Sequence, residues 1–171
     1  MEIKKARFED IALIEEIGTT VYWSTYPSIL GDAQVQYMLR KFYSPEALAD
    51  QMLKGHSFWI VFVDGAPAAF TSFSQTNEAA DTWHLQKIYI LTKMQGKGIG
   101  RRLLKEVAEH CRKNGGQRLQ LNVNRFNQAK EFYEKLGFRV IREEDVAIGE
   151  GYYMNDFVME LDLKEMADNN R

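Results

Sequence analysis

The chain has 171 residues, of which 22 are Lys or Arg and 24 are Asp or Glu, and 45% are hydrophobic. This length and apolar content predict one globular domain over residues 1–171 and exclude intrinsic disorder. The formal charge of −2 argues against a nucleic-acid-binding protein, and the single cysteine, Cys111, excludes a disulfide framework and a multi-cysteine zinc site.

No segment of the chain predicts export or membrane insertion. The first residues, Met1 to Lys5, are rich in charge, and Glu9 and Asp10 follow, so no apolar signal-peptide core is present. The longest strongly apolar run, Ser57 to Val63, is far too short to span a bilayer. We therefore expect a cytoplasmic protein without a membrane partner.

The first third of the chain predicts one short strand and three helices. After Asp10 apolar residues recur at helical spacing, and this helix should end before Pro27 because the residue preceding a proline avoids the α region. The predicted elements are a strand over Glu2 to Arg7, a helix from Asp10 that ends before the Tyr26-Pro27 pair, and a helix over Gln34 to Tyr43 with Asp32 as N-cap. Ser44 is the predicted N-cap of a further helix, which has Pro45 in its first turn and runs towards Gly55.

β-Branched and aromatic residues then replace the helical pattern. Phe58 to Val63 and Ala68 to Ser74 predict two strands, and Asp64-Gly65 between them is a strong hairpin signal. Both strands are apolar enough to lie in a core. They mark the start of a sheet.

A third strand over Thr82 to Ile90 changes its apolar phase. The apolar residues switch from odd to even positions inside it, namely Trp83 and Leu85, then Ile88 and Ile90. Because side chains alternate with a period of two along a strand, this switch needs one extra residue. The sequence therefore predicts a β-bulge near Gln86-Lys87.

The remaining elements alternate between helix and strand. A helix over Gly98 to Asn114 has a buried stripe of Ile99, Leu103, Leu104, Val107, Ala108 and Cys111. It is followed by a strand around Leu119 to Val123, a helix over Asn127 to Leu136 ended by Gly137, and strands over Phe138 to Glu143 and Tyr152 to Leu161. In this order of elements, helices come first and are followed by strands that two helices interrupt. The order predicts an α+β fold with a mixed, mostly antiparallel sheet flanked by helices.

A glycine-rich turn joins the third strand to the long helix. Glycines at a helix N-terminus let backbone N–H groups converge on an anion, and Gln95 to Arg102 contains three alternating glycines. No acidic residue lies between Leu91 and Lys105, whereas four basic ones do: Lys93, Lys97, Arg101 and Arg102. The turn is either a phosphate cradle or an ordinary strand-to-helix connection.

Two familiar nucleotide-binding motifs do not fit this turn. The P-loop ends in Gly-Lys-Ser/Thr, but this sequence reads Gly100-Arg101-Arg102. The dinucleotide fingerprint needs a glycine where Arg101 stands and an acidic residue about 20 residues later, where Leu121 lies among neutral neighbours. Neither ATP nor NAD is favoured.

Two segments together resemble the GNAT superfamily of N-acetyltransferases. The turn matches its acyl-CoA pattern Gln/Arg-x-x-Gly-x-Gly/Ala at Gln95, Gly98 and Gly100, and Leu85 to Ile90 resembles its preceding strand. Asn127 to Phe138 is similar to its Asn-x-x-Ala-x-x-Phe-Tyr-x-Lys-x-Gly-Phe segment. The resemblance covers nearly the whole chain. It implies a single N-acetyltransferase domain with a GNAT-like acyl-CoA N-acyltransferase fold and acetyl-CoA as co-substrate, without a metal.

The resemblance also assigns cofactor-binding roles. Backbone amides of the turn would hold the pyrophosphate, and these belong to Gln95, Gly96, Lys97, Gly98, Ile99, Gly100 and Arg101. The strand backbone at Ile88, Tyr89 and Ile90 would pair with the pantetheine amides like an added strand, and Asn127 would contact the same arm.

Catalysis in the superfamily proceeds by direct attack of an amine on the acetyl group in a ternary complex. Tyr133 would stand near the thioester sulfur and protonate the departing thiolate. Gln86 stands where many relatives carry Glu, and an amide cannot act as a base. His84, which precedes it on the same strand, titrates near neutrality and is the first candidate base, unless it is an ordinary strand histidine. The other candidates are Asp156, Glu144 and Asp145.

The sequence gives several candidates for the amine that accepts the acetyl group. Tyr22, Trp23 and Tyr26 lie where the family builds its acceptor groove, and they would hold an aliphatic cation by cation–π contact or else belong to the core. Ile148 to Met159 is similar to the bacterial spermidine/spermine N-acetyltransferase branch. We expect a small primary amine, with a polyamine first. The alternatives are a peptide or protein N-terminus and a non-catalytic CoA-binding regulatory domain. A homodimer stays open.

The nearly neutral net charge averages two opposed regions. Residues 91–105 carry five basic side chains and no acidic one, which suits a polyphosphorylated cofactor. Residues 143–168 carry nine acidic side chains and one lysine, which suits a cationic acceptor or a solvated surface.

Overall fold

The structure is a computed structural model, and it describes residues 1–168. Within them the strands are Glu2–Lys5 (β1), Ser57–Val63 (β2), Ala66–Gln75 (β3), Thr82–Ile90 (β4), Arg118–Asn124 (β5), Arg139–Gly149 (β6) and Tyr152–Asp162 (β7). They form a sheet of order β1-β2-β3-β4-β5-β7-β6. β4 and β5 pair in parallel, whereas β2 is antiparallel to both its neighbours and β7 to both of its own. The predicted α+β class with a mostly antiparallel sheet is confirmed.

The helices of the described residues are short to medium in length. They are Ile11–Thr25 (α1), Pro27–Leu30 (α2), Asp32–Tyr43 (α3), Pro45–Leu53 (α4), Ile99–Lys113 (α5), Ala129–Lys135 (α6) and Leu163–Asp168 (α7). Not one of these helices combines the length and the apolar character that a bilayer crossing requires.

The chain forms two compact units. The first contains Met1–Ser74 and Lys87–Leu104, and the second contains Gln75–Gln86 and the chain from Lys105 onward. β4 and α5 therefore contribute residues to both units. A single domain over residues 1–171 stays a prediction.

The prediction that the first helix ends before the Tyr26-Pro27 pair is only partly right. The helix ends at Thr25 as predicted, but Tyr26 has φ −97° and ψ −17°, which is helical backbone. Its N–H donates to the Tyr22 carbonyl at 2.9 Å, and its own carbonyl accepts from Leu30 at 2.8 Å. These hydrogen bonds outweigh the steric preference of a residue before Pro27, so the chain continues into α2, which the sequence did not predict.

Of the two predicted N-caps, one is wrong and one is confirmed. Gly31, with φ 80°, precedes α3, and Asp32 is the first residue of the helix rather than its cap. Ser44 caps α4, and its hydroxyl accepts from the Ala47 N–H at 3.2 Å. Glycine supplies a positive φ that the connection from α2 requires and that a side chain disfavours.

The hairpin between β2 and β3 has the predicted turn. Asp64 and Gly65 have φ values of 50° and 79°. A two-residue type I′ turn needs positive φ at both central positions, which aspartate and glycine tolerate best. The Asp64-Gly65 prediction is confirmed.

Hydrogen bonds between β3 and β4 indicate one extra residue in β4. The Thr76 N–H donates to the Thr82 carbonyl at one end, and the Leu91 N–H donates to the Ala68 carbonyl at the other, each at 2.9 Å. Eight steps along β3 are therefore opposed by nine steps along β4. One extra residue between Thr82 and Leu91 is what a β-bulge in this strand would supply. Its position near Gln86-Lys87 stays a prediction.

In the second half of the chain two boundaries of the predicted elements differ from the structure by more than one residue. α6 begins at Ala129 rather than Asn127, and β6 extends to Gly149 instead of ending at Glu143. β6 pairs with β7 from Arg139 through to Gly149 opposite Tyr152. The part of β6 beyond the predicted end begins with Glu144 and Asp145, which have no strand signal, and pairing with β7 continues the strand there. The predicted stripe of α5, from Ile99 to Cys111, is buried as expected.

Candidate active site

The glycine turn lies in the first unit and opens onto free space. Gly96 and Gly98 have φ values of 76° and 77°, and no heavy atom lies within 4 Å of the position that a Cβ would take on either residue. The Arg102 N–H donates to the Gly98 carbonyl at 3.1 Å and closes the first turn of α5. The amides of Gly98 to Arg101 belong to this first turn, whose N–H groups a helix presents to an anion. This geometry fits a phosphate group.

The other predicted residues of the turn have two kinds of role. Some fix the conformation of the turn, and others place positive charge at its surface. The Gln95 Nε2 donates to the Ile90 carbonyl at 3.1 Å, so this side chain fastens the turn to the end of β4. Ile99 is buried and packs with Val61 and Leu103, which leaves its amide rather than its side chain for a ligand. Lys97 and Arg101 are exposed, and so are Lys93 and Arg102.

The strand proposed for pantetheine is held by side chains of the first unit. Ile88 and Ile90 pack against a core cluster composed of Val61, Ala68, Ala69, Ile99 and Leu103. Tyr89 packs instead against three other rings, whose centroids lie 5.6 Å (Tyr22), 6.0 Å (Tyr43) and 5.7 Å (Phe70) from its own. These two sets of contacts determine the orientation of the backbone from Ile88 to Ile90.

Four rings of the first unit form a tyrosine cluster, which we define as Tyr22, Tyr26, Tyr43 and Tyr89. The Tyr22 ring centroid lies 4.7 Å from that of Tyr26 and 4.9 Å from that of Tyr43. Tyr22 is 5% exposed and belongs to the core, while Tyr26 is half-buried. The third predicted acceptor residue, Trp23, is 38% exposed. No periodicity in the sequence distinguished Tyr43 as a member.

A buried ammonium group lies beside the tyrosine cluster. Lys87 is 8% exposed, its Nζ donates to Gln51 Oε1 at 2.8 Å, and it lies 5.1 Å from the Tyr43 ring centroid. Burial lowers the pKa of Lys87 to about 8, because loss of hydration disfavours the charged form. Sequence reasoning missed this residue, since a lysine within a strand is normally a solvated one.

Tyr133, the proposed acid, lies in the second unit. It is 9% exposed, and its ring centroid lies 5.4 Å from that of Phe132 and 5.8 Å from that of Phe138. Burial raises the pKa of the Tyr133 phenol, because a phenolate is poorly stabilised away from water. The phenol therefore keeps its proton at neutral pH, which is the state that a general acid needs.

Asn127, the proposed pantetheine contact, has a local role at the start of α6. Its Oδ1 accepts from the Ala129 N–H at 2.9 Å, and its own N–H donates to the Asn124 carbonyl at 3.0 Å. These bonds orient the side chain at the helix N-terminus. Its contact with a cofactor stays a prediction.

The second unit also has a polar sheet face, defined here by His84, Gln120, Asn122, Glu144, Asp156 and Glu160. His84 lies opposite Gln120, and Asp156 lies opposite both Asn124 and Glu144. Directly opposed residues share a face, so these side chains project together. The alternation of Arg118–Asn124 contains this signal, but only the register shows which residues of the other strands join it.

Hydrogen bonds connect the carboxylates of the polar face. The Asn122 Nδ2 donates to Asp156 Oδ2 at 3.2 Å and to Glu144 Oε2 at 3.4 Å, and the Gln120 Nε2 donates to Glu160 Oε2 at 2.8 Å. A hydrogen bond from Arg142 is the main cause that lowers the pKa of Glu144, and the charge of nearby His84 contributes. His84 and Glu144 are therefore electrostatic neighbours.

Two further base candidates differ in their surroundings. Asp156 is 5% exposed, and burial raises the pKa of its carboxyl, so it accepts a proton more readily than a solvated aspartate. Asp145 is exposed, and its Oδ1 accepts from Arg125 Nη2 at 2.6 Å, so this carboxylate is engaged in an ion pair at the surface.

The single cysteine belongs to the core. Cys111 is fully buried in α5, and burial raises the pKa of its thiol to about 12. Since the thiolate is the reactive form, Cys111 is inert at neutral pH. Among the described residues, no set of three or more His, Cys, Asp or Glu side chains is placed to hold a metal ion.

Comparison with known proteins gives consistent matches. Residues 28–161 match a family model described as an acetyltransferase (GNAT) domain. The chain is 29% identical over 163 residues to a spermidine N(1)-acetyltransferase of Thermoplasma acidophilum, covering 94% of this chain and 96% of that protein. The crystal structure of the PaiA N-acetyltransferase of T. acidophilum in complex with coenzyme A has a TM-score of 0.79 and 27% identity, covering 94% of this chain and 98% of the other. A GCN5-related N-acetyltransferase structure from Rhodopseudomonas palustris, 19% identical with a TM-score of 0.80 and 94% of each chain covered, shares the fold.

Proposed function

Because this chain belongs to the GNAT family of acetyltransferases, we propose that it transfers the acetyl group of acetyl-CoA to a primary amine, with a polyamine as the first candidate. The observation that carries the proposal is the open glycine turn at the start of α5, where Gly96 and Gly98 leave the first-turn amides accessible to a phosphate. The similarity to a spermidine N(1)-acetyltransferase supports the acceptor class.

Acetyl-CoA supplies the activated acetyl group when it is bound. In our proposal the turn amides from Gln95 to Arg101 hold its pyrophosphate, and the exposed charges of Lys97 and Arg101 add attraction. The backbone of Ile88 to Ile90 pairs with the pantetheine amides, and Asn127 contacts the same arm. Each of these groups binds the donor, and none of them moves a proton.

The proton transfers are assigned to residues of the second unit. Tyr133 holds the proton that the departing thiolate takes, and its buried phenol keeps that proton at neutral pH. His84 accepts a proton from the attacking amine, directly or through water, and the carboxylate of nearby Glu144 stabilises the imidazolium that results. Gln86 has no proton-transfer role.

Replacing His84 by Gln should lower kcat/KM by about 100-fold, because loss of a general base typically costs 10²- to 10⁴-fold. Glutamine keeps a polar side chain on the strand but cannot titrate. The pH profile of kcat/KM, measured by thiol release, should also lose its acid limb, because glutamine has no proton to gain or lose in this range.

Two variants test this assignment of the base. His110→Gln is the control, since His110 lies on α5 and not on the polar face, and its kcat/KM should stay within twofold of the wild type. Asp156→Asn tests the buried alternative. If Asp156→Asn removes the acid limb while His84→Gln retains it, Asp156 and not His84 is the base.

The acceptor is tested by a panel of amines. The acidic side chains of the polar face in the second unit, Glu144, Asp156 and Glu160, support a cationic acceptor. Within the first unit, the ring of Trp23 is 38% exposed and is a separate candidate for a cation–π contact. We expect thiol release from acetyl-CoA with spermidine or spermine to exceed that with monoamines and with peptide N-termini. Release with peptides alone would indicate an N-terminal acetyltransferase. Binding of acetyl-CoA without any release would indicate a non-catalytic CoA-binding domain. A cytoplasmic location and a homodimer stay predictions from the sequence.

A further inference from the structure

We propose that Lys87 is a positioning residue that fixes the register of β4 and thereby presents Ile88 to Ile90 to the pantetheine arm of acetyl-CoA. The proposal concerns a residue that neither the cofactor-binding nor the proton-transfer assignments use. It rests on the proposed function, because it supposes that this part of β4 binds acetyl-CoA.

Lys87 is anchored at both its backbone and its side chain. The hydroxyl of the fully buried Thr71 donates to the Lys87 carbonyl at 2.7 Å, at the place where the bulge is predicted. The Lys87 Nζ donates to Gln51 Oε1 at 2.8 Å, and the Gln51 Nε2 in turn donates to the Phe42 carbonyl at 3.0 Å. Lys87 therefore connects β4 with β3, with α4 and, through Gln51 and the Tyr43 ring, with α3.

This arrangement is costly, which indicates that it has a purpose other than stability. The Lys87 ammonium is buried, and the groups it meets are an amide oxygen and the face of a tyrosine ring. An ammonium taken out of water loses hydration free energy that a hydrogen bond to a neutral amide offsets only in part. Selection of a single register is the best-attested use of such a group.

The register matters here because β4 carries different side chains on its two faces. Ile88 and Ile90 pack on the core cluster with Ile99, while Tyr89 packs in the tyrosine cluster. A slip of one residue at the bulge would exchange the faces of all three. The Lys87 side chain prevents this slip, because an ammonium placed on the other face would lose Gln51 and would enter the apolar cluster beneath Ile88.

The proposal is tested with Lys87→Met, which keeps the length of the side chain and removes its charge. The matched control is Lys54→Met, which removes the same charge from an exposed lysine at the end of α4. Acetyl-CoA affinity is measured by titration calorimetry on the full chain, and the unfolding midpoint is measured by calorimetry. We expect Lys87→Met to bind acetyl-CoA at least tenfold more weakly with an unchanged or higher midpoint, and Lys54→Met to match the wild type in both.

A kinetic readout separates positioning from a general loss of structure. The KM for acetyl-CoA of Lys87→Met should rise at least tenfold, while kcat and the KM for the amine stay within threefold of the wild type. Thr71→Val, which removes the hydroxyl bound to the Lys87 carbonyl and keeps the shape, should raise the same KM without any change of charge.

The outcomes distinguish this proposal from the proposed function. Acetyl-CoA affinity of Lys87→Met within twofold of the wild type would overturn the positioning role and leave the proposed function intact. A weakened affinity accompanied by a midpoint lowered by many degrees would also overturn it, since the residue would then be structural. A wild-type chain with no measurable affinity for acetyl-CoA would overturn the proposed function itself.

Discussion

Replacing Tyr133 by Phe is expected to lower kcat by about 100-fold or more, because removal of a general acid typically costs 10²- to 10⁴-fold. The affinity for acetyl-CoA should stay within about twofold, since the phenol hydroxyl is assigned to the departing sulfur and not to ground-state binding. The ring contacts with Phe132 and Phe138 do not involve the hydroxyl, so the fold should be retained. Thiol release gives kcat, and titration calorimetry gives the affinity.

The control for this variant is Tyr153→Phe. Tyr153 lies in the same unit but is 51% exposed, so removal of its hydroxyl tests the same chemical change at a solvated position. We expect a kcat within twofold of the wild type. If Tyr133→Phe turns over as fast as this control, the acid role of Tyr133 is wrong, and water or another group protonates the thiolate.

Replacing Gly98 by Asp is expected to weaken acetyl-CoA binding by about 100-fold, the effect of losing a charge-assisted hydrogen bond and adding a repulsive charge. The position of a Cβ on Gly98 has no heavy atom within 4 Å, so the new carboxylate would enter the open space of the turn. That space is where we place the pyrophosphate. The affinity is measured by titration calorimetry at low and at moderate salt.

Gly65→Asp separates the electrostatic effect from backbone strain. Gly65 has φ 79° against 77° for Gly98, and a Cβ there likewise has no heavy atom within 4 Å. Both variants therefore carry the same added charge and nearly the same strain, but Gly65 lies in the hairpin between β2 and β3. We expect Gly65→Asp to lower the unfolding midpoint by a similar amount and to leave acetyl-CoA affinity unchanged. Equal affinities of the two variants would show that the glycine turn is not the phosphate site.

Features that depend on a few neighbouring residues were predictable from the sequence. The Asp64-Gly65 turn needs positive φ at adjacent positions, and Ser44 caps the helix that begins beside it. The stripe of α5 follows from a periodicity of 3.6 residues. An extra residue in β4 was also predictable. The apolar residues switch from odd to even positions within this one strand, and such a switch requires an extra residue wherever the strand is packed.

Features that depend on distant partners were not predictable. Asp32 has the residue type of an N-cap, but the path of the chain from α2 places Gly31 at that position. Glu144 and Asp145, which follow the predicted strand, have no strand signal of their own, and β7 supplies the pairing that continues β6 through them. Tyr26 precedes a proline and is nevertheless helical, since hydrogen bonds to neighbouring turns outweigh its local preference.

The sequence by itself determined the class of the protein: two local motifs, the glycine turn and the segment from Asn127 to Phe138, indicate the acetyltransferase family without any tertiary information. The tertiary structure alone decided which polar residues are buried and what they meet. The sequence presents Lys87 as an ordinary strand lysine and Asp156 as one of several candidate bases. Only the structure shows that both are buried and that each meets a fixed partner, Gln51 and Asn122 respectively. Burial is a property of the elements packed around a residue, and it changes the energy of a charge far more than any neighbour along the chain does.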